Sequence, residues 1–330
     1  MITDARALRP EYIPQDLHHR DGQIDHLSSV LAPPRLDRAE NVCIFGPSGA
    51  GKTTIAKYTL TQLEREVLGF RWAYVNCMAD NTPGAVFYEL ARKVGVGADL
   101  RREGTPTSRA LDRLRACDDQ IIAVLDEVDV VDEEVLLALY EIPNVSMICI
   151  TIDEDEWFSA LGQQTKSRMR SAATIRLDKY SHDELVDILD SRAVHGLVSS
   201  RVADGAIERI ADVAAGDARQ GIATLRQAAS YVQEREMREL TEEVVKAVRD
   251  DAVDEVKNYR KRSLGTHQRL LFRIISEAGT IDSGTLHARY EDRAQSPKSR
   301  STRWRYLNIL EQKELIESRG EGRGTEYAIL

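Results

Sequence analysis

The stretch that most constrains this chain is Asn41 to Thr54, NVCIFGPSGAGKTT. Val42 to Phe45 suit a buried strand, and the small residues that follow end in Lys52 and Thr53, so the GxxxxGK[ST] signature sits where a strand gives way to a helix. Glycines let backbone N–H groups wrap phosphate oxygens, and the next helix offers its positive end to the same anion. Gly46, Pro47, Ser48, Gly49, Ala50, Gly51, Lys52, Thr53 and Thr54 are the expected segment for ATP or ADP. Lys52 is expected to pair with the β and γ phosphates and Thr53 to give its hydroxyl to Mg²⁺. A glycine-rich turn alone would not need both flanks in this order.

A second local pattern completes the first. Ile121 to Leu125 is apolar and ends in Asp126-Glu127-Val128-Asp129. A buried parallel strand delivers carboxylates to its C-terminal edge in this way, where ligands of open α/β sheets bind. Asp126 is expected to hold Mg²⁺ through water, and Glu127 to orient and polarise an attacking water. Further strand-like runs at Trp72–Cys77, Val145–Ile152 and Ala173–Leu177 alternate with helical patterns at Thr54–Val67 and Pro83–Val94. An α/β parallel sheet covered on both faces is therefore expected over residues 1–180. Ahead of it, a helical pattern through Leu31 is closed by Pro33-Pro34.

Beyond Ser181 the strand signals stop. Ser181 with Glu184 forms a capping box, and helices are expected at about 202–214, 218–236 and 241–253, giving an all-helical unit over 181–257. Asn258 to Ser263 reads as a polar basic linker into a last unit, 258–330. There, helical patterns lead to Lys298–Gln312, followed by two strand-like pieces around Gly320 to Gly324, a winged helix-turn-helix pattern. On its last helix, spacing puts Trp304, Leu307, Leu310 and Glu311 on one side and Ser301, Arg305 and Gln312 on the other. Lys298, Ser301 and Arg305 are the expected contacts to double-stranded DNA, with Arg323 at the wing tip.

Charge supports that division. The chain of 330 residues carries a net −9, yet from Asn258 onward 14 Lys and Arg stand against 9 Asp and Glu, a net of +5. A basic terminal unit on an acidic body suits contact with a polyanion. No run approaches 18 apolar residues and the opening residues show no apolar signal segment, so a cytoplasmic protein without membrane contact is expected. The four cysteines have no C-x-x-C spacing and read as small buried hydrophobes. The arginine-rich stretch from Gly95 to Asp119 reads as solvated helix and loop, with DNA contact as the alternative.

With these residues assembled, the whole chain resembles the archaeal replication initiators related to the first subunit of the origin recognition complex and to cell division control protein six. The resemblance rests on Tyr12-Ile13-Pro14, His18-His19-Arg20, the phosphate loop, Asp126 to Asp129, Gly216-Asp217-Ala218-Arg219 and Thr266-His267-Gln268. It implies an AAA+ ATPase core, adenine contacts from Ile13, His19 and Arg20, and a helical lid whose Arg219 touches the γ-phosphate. It also implies a winged helix that binds origin repeats and recruitment of the replicative helicase; a homo-oligomer on DNA is a further possible partner, whose state the sequence does not give. Only 10 of 45 basic residues are lysine, a composition suited to a haloarchaeal cell.

Two positions depart from the family pattern. Ile152 stands where a polar first-sensor residue is usual, with Thr151 expected to point to the opposite face. Gln164 stands where the arginine finger is usual. Such a finger contributes roughly 10³ to 10⁵ in rate in related phosphoryl transfers, so slow or absent hydrolysis is expected. The alternative is a diverged paralogue that regulates transcription or plasmid copy number and uses ATP as a structural ligand.

Overall fold

The computed structural model describes residues 1–31, 39–79, 81–320 and 324–330. Its first unit is built on α1 (Asp21–Leu31), β1 (Val42–Phe45), α2 (Lys52–Glu66), β2 (Phe70–Asn76), α3 (Pro83–Lys93), α4 (Thr107–Arg115), β3 (Gln120–Asp126), α5 (Glu133–Tyr140), β4 (Val145–Ile150), α6 (Glu154–Ala160), α7 (Gln163–Arg170) and β5 (Ala173–Arg176). The five strands pair in parallel in the order β2-β3-β4-β1-β5. All of β1 and β4, and all of β3 after Gln120, are buried, as strands covered on both faces must be. Register places Asn76 beside Asp126, and Asp126 beside Ile150, so the C-terminal ends of β2, β3 and β4 open on one edge.

The helical unit comprises α8 (His182–Gly196), α9 (Ala206–Ala214), α10 (Ala218–Glu234), α11 (Glu242–Ala247) and α12 (Arg249–Arg262) around Leu185, Leu189, Ile210 and Leu225. The capping box at Ser181 and Glu184 is formed and starts α8. The expected linker at Asn258 to Ser263 is corrected: α12 runs without a break through Arg262, and the expected boundary at 257/258 falls inside it. Its polar, basic composition reflects a helix with few buried residues, Ala252, Val256 and Arg260 among them, rather than an irregular connector.

The terminal unit holds α13 (Thr266–Ala278), β6 (Thr280–Asp282), α14 (Ser283–Arg293), α15 (Arg300–Gln312), β7 (Ile316–Arg319) and β8 (Glu326–Ile329). The strands form a small antiparallel sheet, β6-β8-β7; β6 is an addition to the two strand-like pieces expected. The expected faces of α15 need correction. Leu307 and Leu310 are buried together with Arg303 and Tyr306, whereas Trp304 is 54% exposed. Arg303 takes an inward position because Glu291 accepts its guanidinium at 2.7 Å, allowing a buried charge at a site the spacing gave to an apolar ring.

This unit is seated on the first one. Asn308 and Gln312 of α15 donate to the two carboxylate oxygens of Glu156 at 2.8 and 2.6 Å, and Leu271 and Ile275 belong to the same apolar cluster as Val86 and Leu90. Pro33-Pro34, and the glycine-rich tip from Glu321 to Arg323, lie outside the described residues.

Candidate nucleotide site

The phosphate loop leaves β1 and enters α2 through Gly51, whose φ of 92° is left-handed, a conformation that costs an ordinary residue about 1–2 kcal/mol. Gly49 is also at positive φ, and a Cβ there would stand 2.0 Å from Asp217 Oδ1 of the helical unit. The lid therefore closes against backbone that only glycine leaves open.

In this loop Lys52 Nζ donates to the carbonyls of Gly46 and Pro47 at 2.5 and 2.8 Å. Burial pulls its ammonium down to about 8, against the carboxylates of Glu127 and Asp126 that raise it. A partly buried cation held by loop carbonyls, over glycine backbone, is matched to a phosphate anion. Gly46 and Pro47 thus bound the lysine; Ser48 to Thr54 line the cleft itself.

Across the cleft, Asp126 Oδ2 accepts from Thr53 Oγ1 and Tyr74 Oη, both at 2.8 Å, and Oδ1 accepts from the Glu127 backbone at 3.1 Å. Burial, with the Glu127 charge beside it, raises the Asp126 carboxyl. Among the described residues no group of three or more His, Cys, Asp or Glu forms a metal cluster. One carboxylate and one hydroxyl suit Mg²⁺, which takes few protein ligands and completes its shell with phosphate and water.

Glu127 adopts φ 57° and ψ 47°, left-handed for a residue with a full side chain. Such strain persists where surrounding contacts hold it, and here they do. Glu127 Oε1 accepts from Lys313 Nζ at 2.6 Å. Burial pushes the carboxyl up, but Lys313, then Lys52 and Arg219, bring it below its ordinary value. Asp129, two residues on, is pushed up to about 6 by burial and by Glu127, although Thr151 donates to it at 2.7 Å.

The first-sensor reading is revised by β4 ending at Ile150: strict alternation does not extend past it, and Thr151 lines the cleft together with Ile152. Arg219 also lines the cleft, its guanidinium 3.4 Å from Ser48 Oγ and over the Tyr259 ring. Asp217 caps α10 by accepting from Arg219 and Gln220 backbone N–H groups, which fixes where Arg219 starts.

The adenine-side expectation is partly corrected. Ile13 lines the cleft, with His18 beside it. His19 instead turns to Asp187 Oδ2 at 2.7 Å, and Arg20 is buried behind the loop, donating to the Ala50 and Asp178 carbonyls over the Tyr180 ring. Gln164 is exposed on α7, away from the lining of the cleft.

Of the expected DNA contacts, Ser301 is exposed and Lys298 half-buried, while Arg305 is half-buried in a crevice shared with Asp153 and Glu156 of the first unit. Arg323 lies outside the described residues. In the 95–119 stretch, Arg109 and Arg113 both pair with Asp99, Arg102 with Glu89 and Arg115 with Asp112. Sequence reasoning missed Tyr74, Arg260 and Lys313, all of which line the cleft. Lys313 is 186 residues from its partner, and no local spacing signals such a pairing.

A phosphate loop, an acidic β3 edge and a helical lid carrying an arginine, arranged on a five-stranded parallel sheet, define a P-loop protein of the AAA+ class. Residues 35–154 match the AAA domain, and 186–250 match the Cdc6 AAA+ ATPase-type lid domain. The chain is 39% identical over 303 residues to ORC1-type DNA replication protein 1 of Halobacterium salinarum, covering 91% of this chain and 98% of the relative. It is 34% identical over 333 residues to ORC1-type DNA replication protein 9 of the same organism, covering 100% of this chain and 94% of the relative. The fold is similar to that of the Aeropyrum pernix ORC1 protein solved in complex with DNA, at a TM-score of 0.75, 24% identity, and coverage of 99% and 93%. The chain belongs to the ORC1-type DNA replication proteins, the archaeal ORC1/Cdc6 family that acts in the initiation of DNA replication. No helix of the described residues is long and apolar enough to cross a membrane.

Proposed function

We propose that the protein is an ATP-regulated DNA-binding initiator that marks replication origins and helps to recruit the replicative helicase. The observation that carries this reading is the single cleft in which Lys52, Thr53, Asp126, Glu127 and Arg219 converge from two units, with the terminal unit seated on its rim. Lys52 supplies the ammonium for phosphate oxygens, Thr53 and Asp126 hold Mg²⁺, Ile13 bounds the adenine side, and Arg219 brings the lid to the γ-phosphate. Bound Mg²⁺ neutralises phosphate charge during hydrolysis. The family relation in sequence supports a role at origins, a fold-level relative has been solved in complex with DNA, and the net +5 of the terminal unit suits a surface that meets DNA.

The terminal unit is read as a winged helix. On this reading β7 and β8 flank the wing, and exposed Ser301 with half-buried Lys298, near the start of α15, are the side chains offered to DNA. Coupling follows if ATP binds the seated and released arrangements with different affinity. With Gln164 exposed, this chain contributes no arginine at the finger position, so ATP is expected to persist for many minutes. Footprinting on DNA flanking its own gene, with and without MgATP, tests the reading. A nucleotide-dependent footprint of defined length supports it; protection spread over all sequences contradicts it.

A further inference from the structure

We infer that Lys313, from the terminal unit, is a positioning residue of the nucleotide site that keeps Glu127 out of use while that unit is seated. The inference rests on the ATPase reading above and identifies an element of control within it. Lys313 is 6% exposed, and its ammonium lies 2.6 Å from Glu127 Oε1. The contact is anchored from both sides. Arg260 of α12 donates to the Lys313 carbonyl at 2.9 Å and to Glu314 Oε2 at 2.7 Å, and its other nitrogen lies 3.6 Å from Asp217, the cap of the helix that carries Arg219. Glu314, next in the chain, has φ 53°, and Glu127 itself has φ 57°, so left-handed backbone brings both ends of the pair together.

The chemistry blocked is specific. In hydrolysis the oxygen of water forms a bond to the γ-phosphorus. The bond from that phosphorus to the β,γ-bridging oxygen breaks, and its electron pair leaves with ADP. The proton of the water passes to the Glu127 carboxylate and from there to solvent. A carboxylate whose oxygen already accepts from an ammonium at 2.6 Å is a poorer acceptor for the water, because the lone pairs that would take it are engaged. Release of α15 and the residues after it withdraws Lys313 and frees the oxygen. The pairs from Asn308 and Gln312 to Glu156 hold the same surface closed, so Glu127 is restrained by the domain contact and not by an isolated side chain.

The full chain is compared with Lys313→Met, which keeps the buried stem, and Lys313→Arg, which keeps the charge. Single-turnover hydrolysis and binding of a fluorescent ATP analogue are both measured, with Lys52→Ala as the control for the site itself. The expected result is an increase in hydrolysis of about tenfold in Lys313→Met, nucleotide affinity within about twofold of the parent, and hydrolysis near the parental rate in Lys313→Arg. Unchanged hydrolysis in Lys313→Met overturns the inference. So does a loss of analogue affinity of fivefold or more without faster hydrolysis, which would make Lys313 a phosphate ligand instead. Equal analogue binding by the parent and Lys52→Ala would instead overturn the nucleotide-site reading. Unfolding midpoints of the variants, and of Glu127→Gln alone and combined with Lys313→Met, give a readout without nucleotide. Non-additive midpoints confirm that the pair exists in solution, and additive ones overturn it.

Discussion

Thr53 and Asp126 share a hydrogen bond of 2.8 Å across 73 residues of chain, with the hydroxyl donating to Oδ2, and Tyr74 Oη donates to the same oxygen. The arrangement ties the first turn of α2 to the end of β3, but it leaves a buried carboxylate whose pKa is raised by burial and by Glu127. A carboxyl with a raised folded pKa is most favourable when protonated, so ionisation at neutral pH costs folding free energy. Asp126→Asn is expected to stabilise the nucleotide-free protein by roughly 1 kcal/mol, a rise of about 2–4 °C in Tm, and to abolish Mg²⁺-dependent tightening of ATP binding. Thermal melts and titrations with and without Mg²⁺ check both halves.

Lys52→Ala separates binding from folding. The side chain now donates to two loop carbonyls while its ammonium is disfavoured by burial, so its removal costs the fold at most about 1 kcal/mol. Binding of ATP is expected to be lost. Equilibrium binding of a fluorescent analogue, together with a urea transition near that of the parent, is the measurement.

Arg260→Met addresses the junction of the three units. Arg260 is 6% exposed and meets the Lys313 carbonyl, Glu314 and Asp217. Its loss leaves the Lys313 carbonyl without this donor, while Glu314 can reach water and Asp217 keeps its backbone donors, and a destabilisation of roughly 1–3 kcal/mol is expected. Chemical denaturation reads the cost. Faster ATP dissociation is expected alongside it, because the same residue steadies the cap ahead of Arg219.

Arg305→Ala and Lys298→Ala should differ in kind. If Arg305 reads a guanine edge once α15 leaves Asp153 and Glu156, its loss costs about 1–3 kcal/mol for the cognate site and little for other sequences. Lys298→Ala should weaken all duplexes alike and reduce the salt slope by about one. Competition binding over a salt series distinguishes the two.

The parts legible in the sequence were those written in contiguous residues. The phosphate loop, the apolar run ending in Asp126 and the capping box at Ser181 each combine local backbone preference with local chemistry, and their elements form within a few residues of the expected bounds. What could not be read is set by distance and by competition. His18 and His19 are equivalent by spacing, and only Asp187, supplied by α8, turns His19 aside. Thr151 enters the cleft because β4 stops at Ile150, two residues short of the expected run to Ile152, where Asp129 offers an acceptor. Arg303 replaces Trp304 in the packing of α15 because Glu291 neutralises it. Lys313 and Glu127 meet only after the terminal unit is seated, so neither segment alone carries the signal.

Fluorescence anisotropy of the full chain on DNA from beside its own gene, against a scrambled duplex of equal length, tests the central claim most directly. Both duplexes are titrated at high salt, with and without MgATP, where purely electrostatic binding is suppressed. A preference for the gene-adjacent DNA of about 100-fold, roughly 2.7 kcal/mol, that changes with MgATP is the predicted result. Equal affinity for both duplexes under every condition would contradict an initiator that marks its origin under control of the nucleotide.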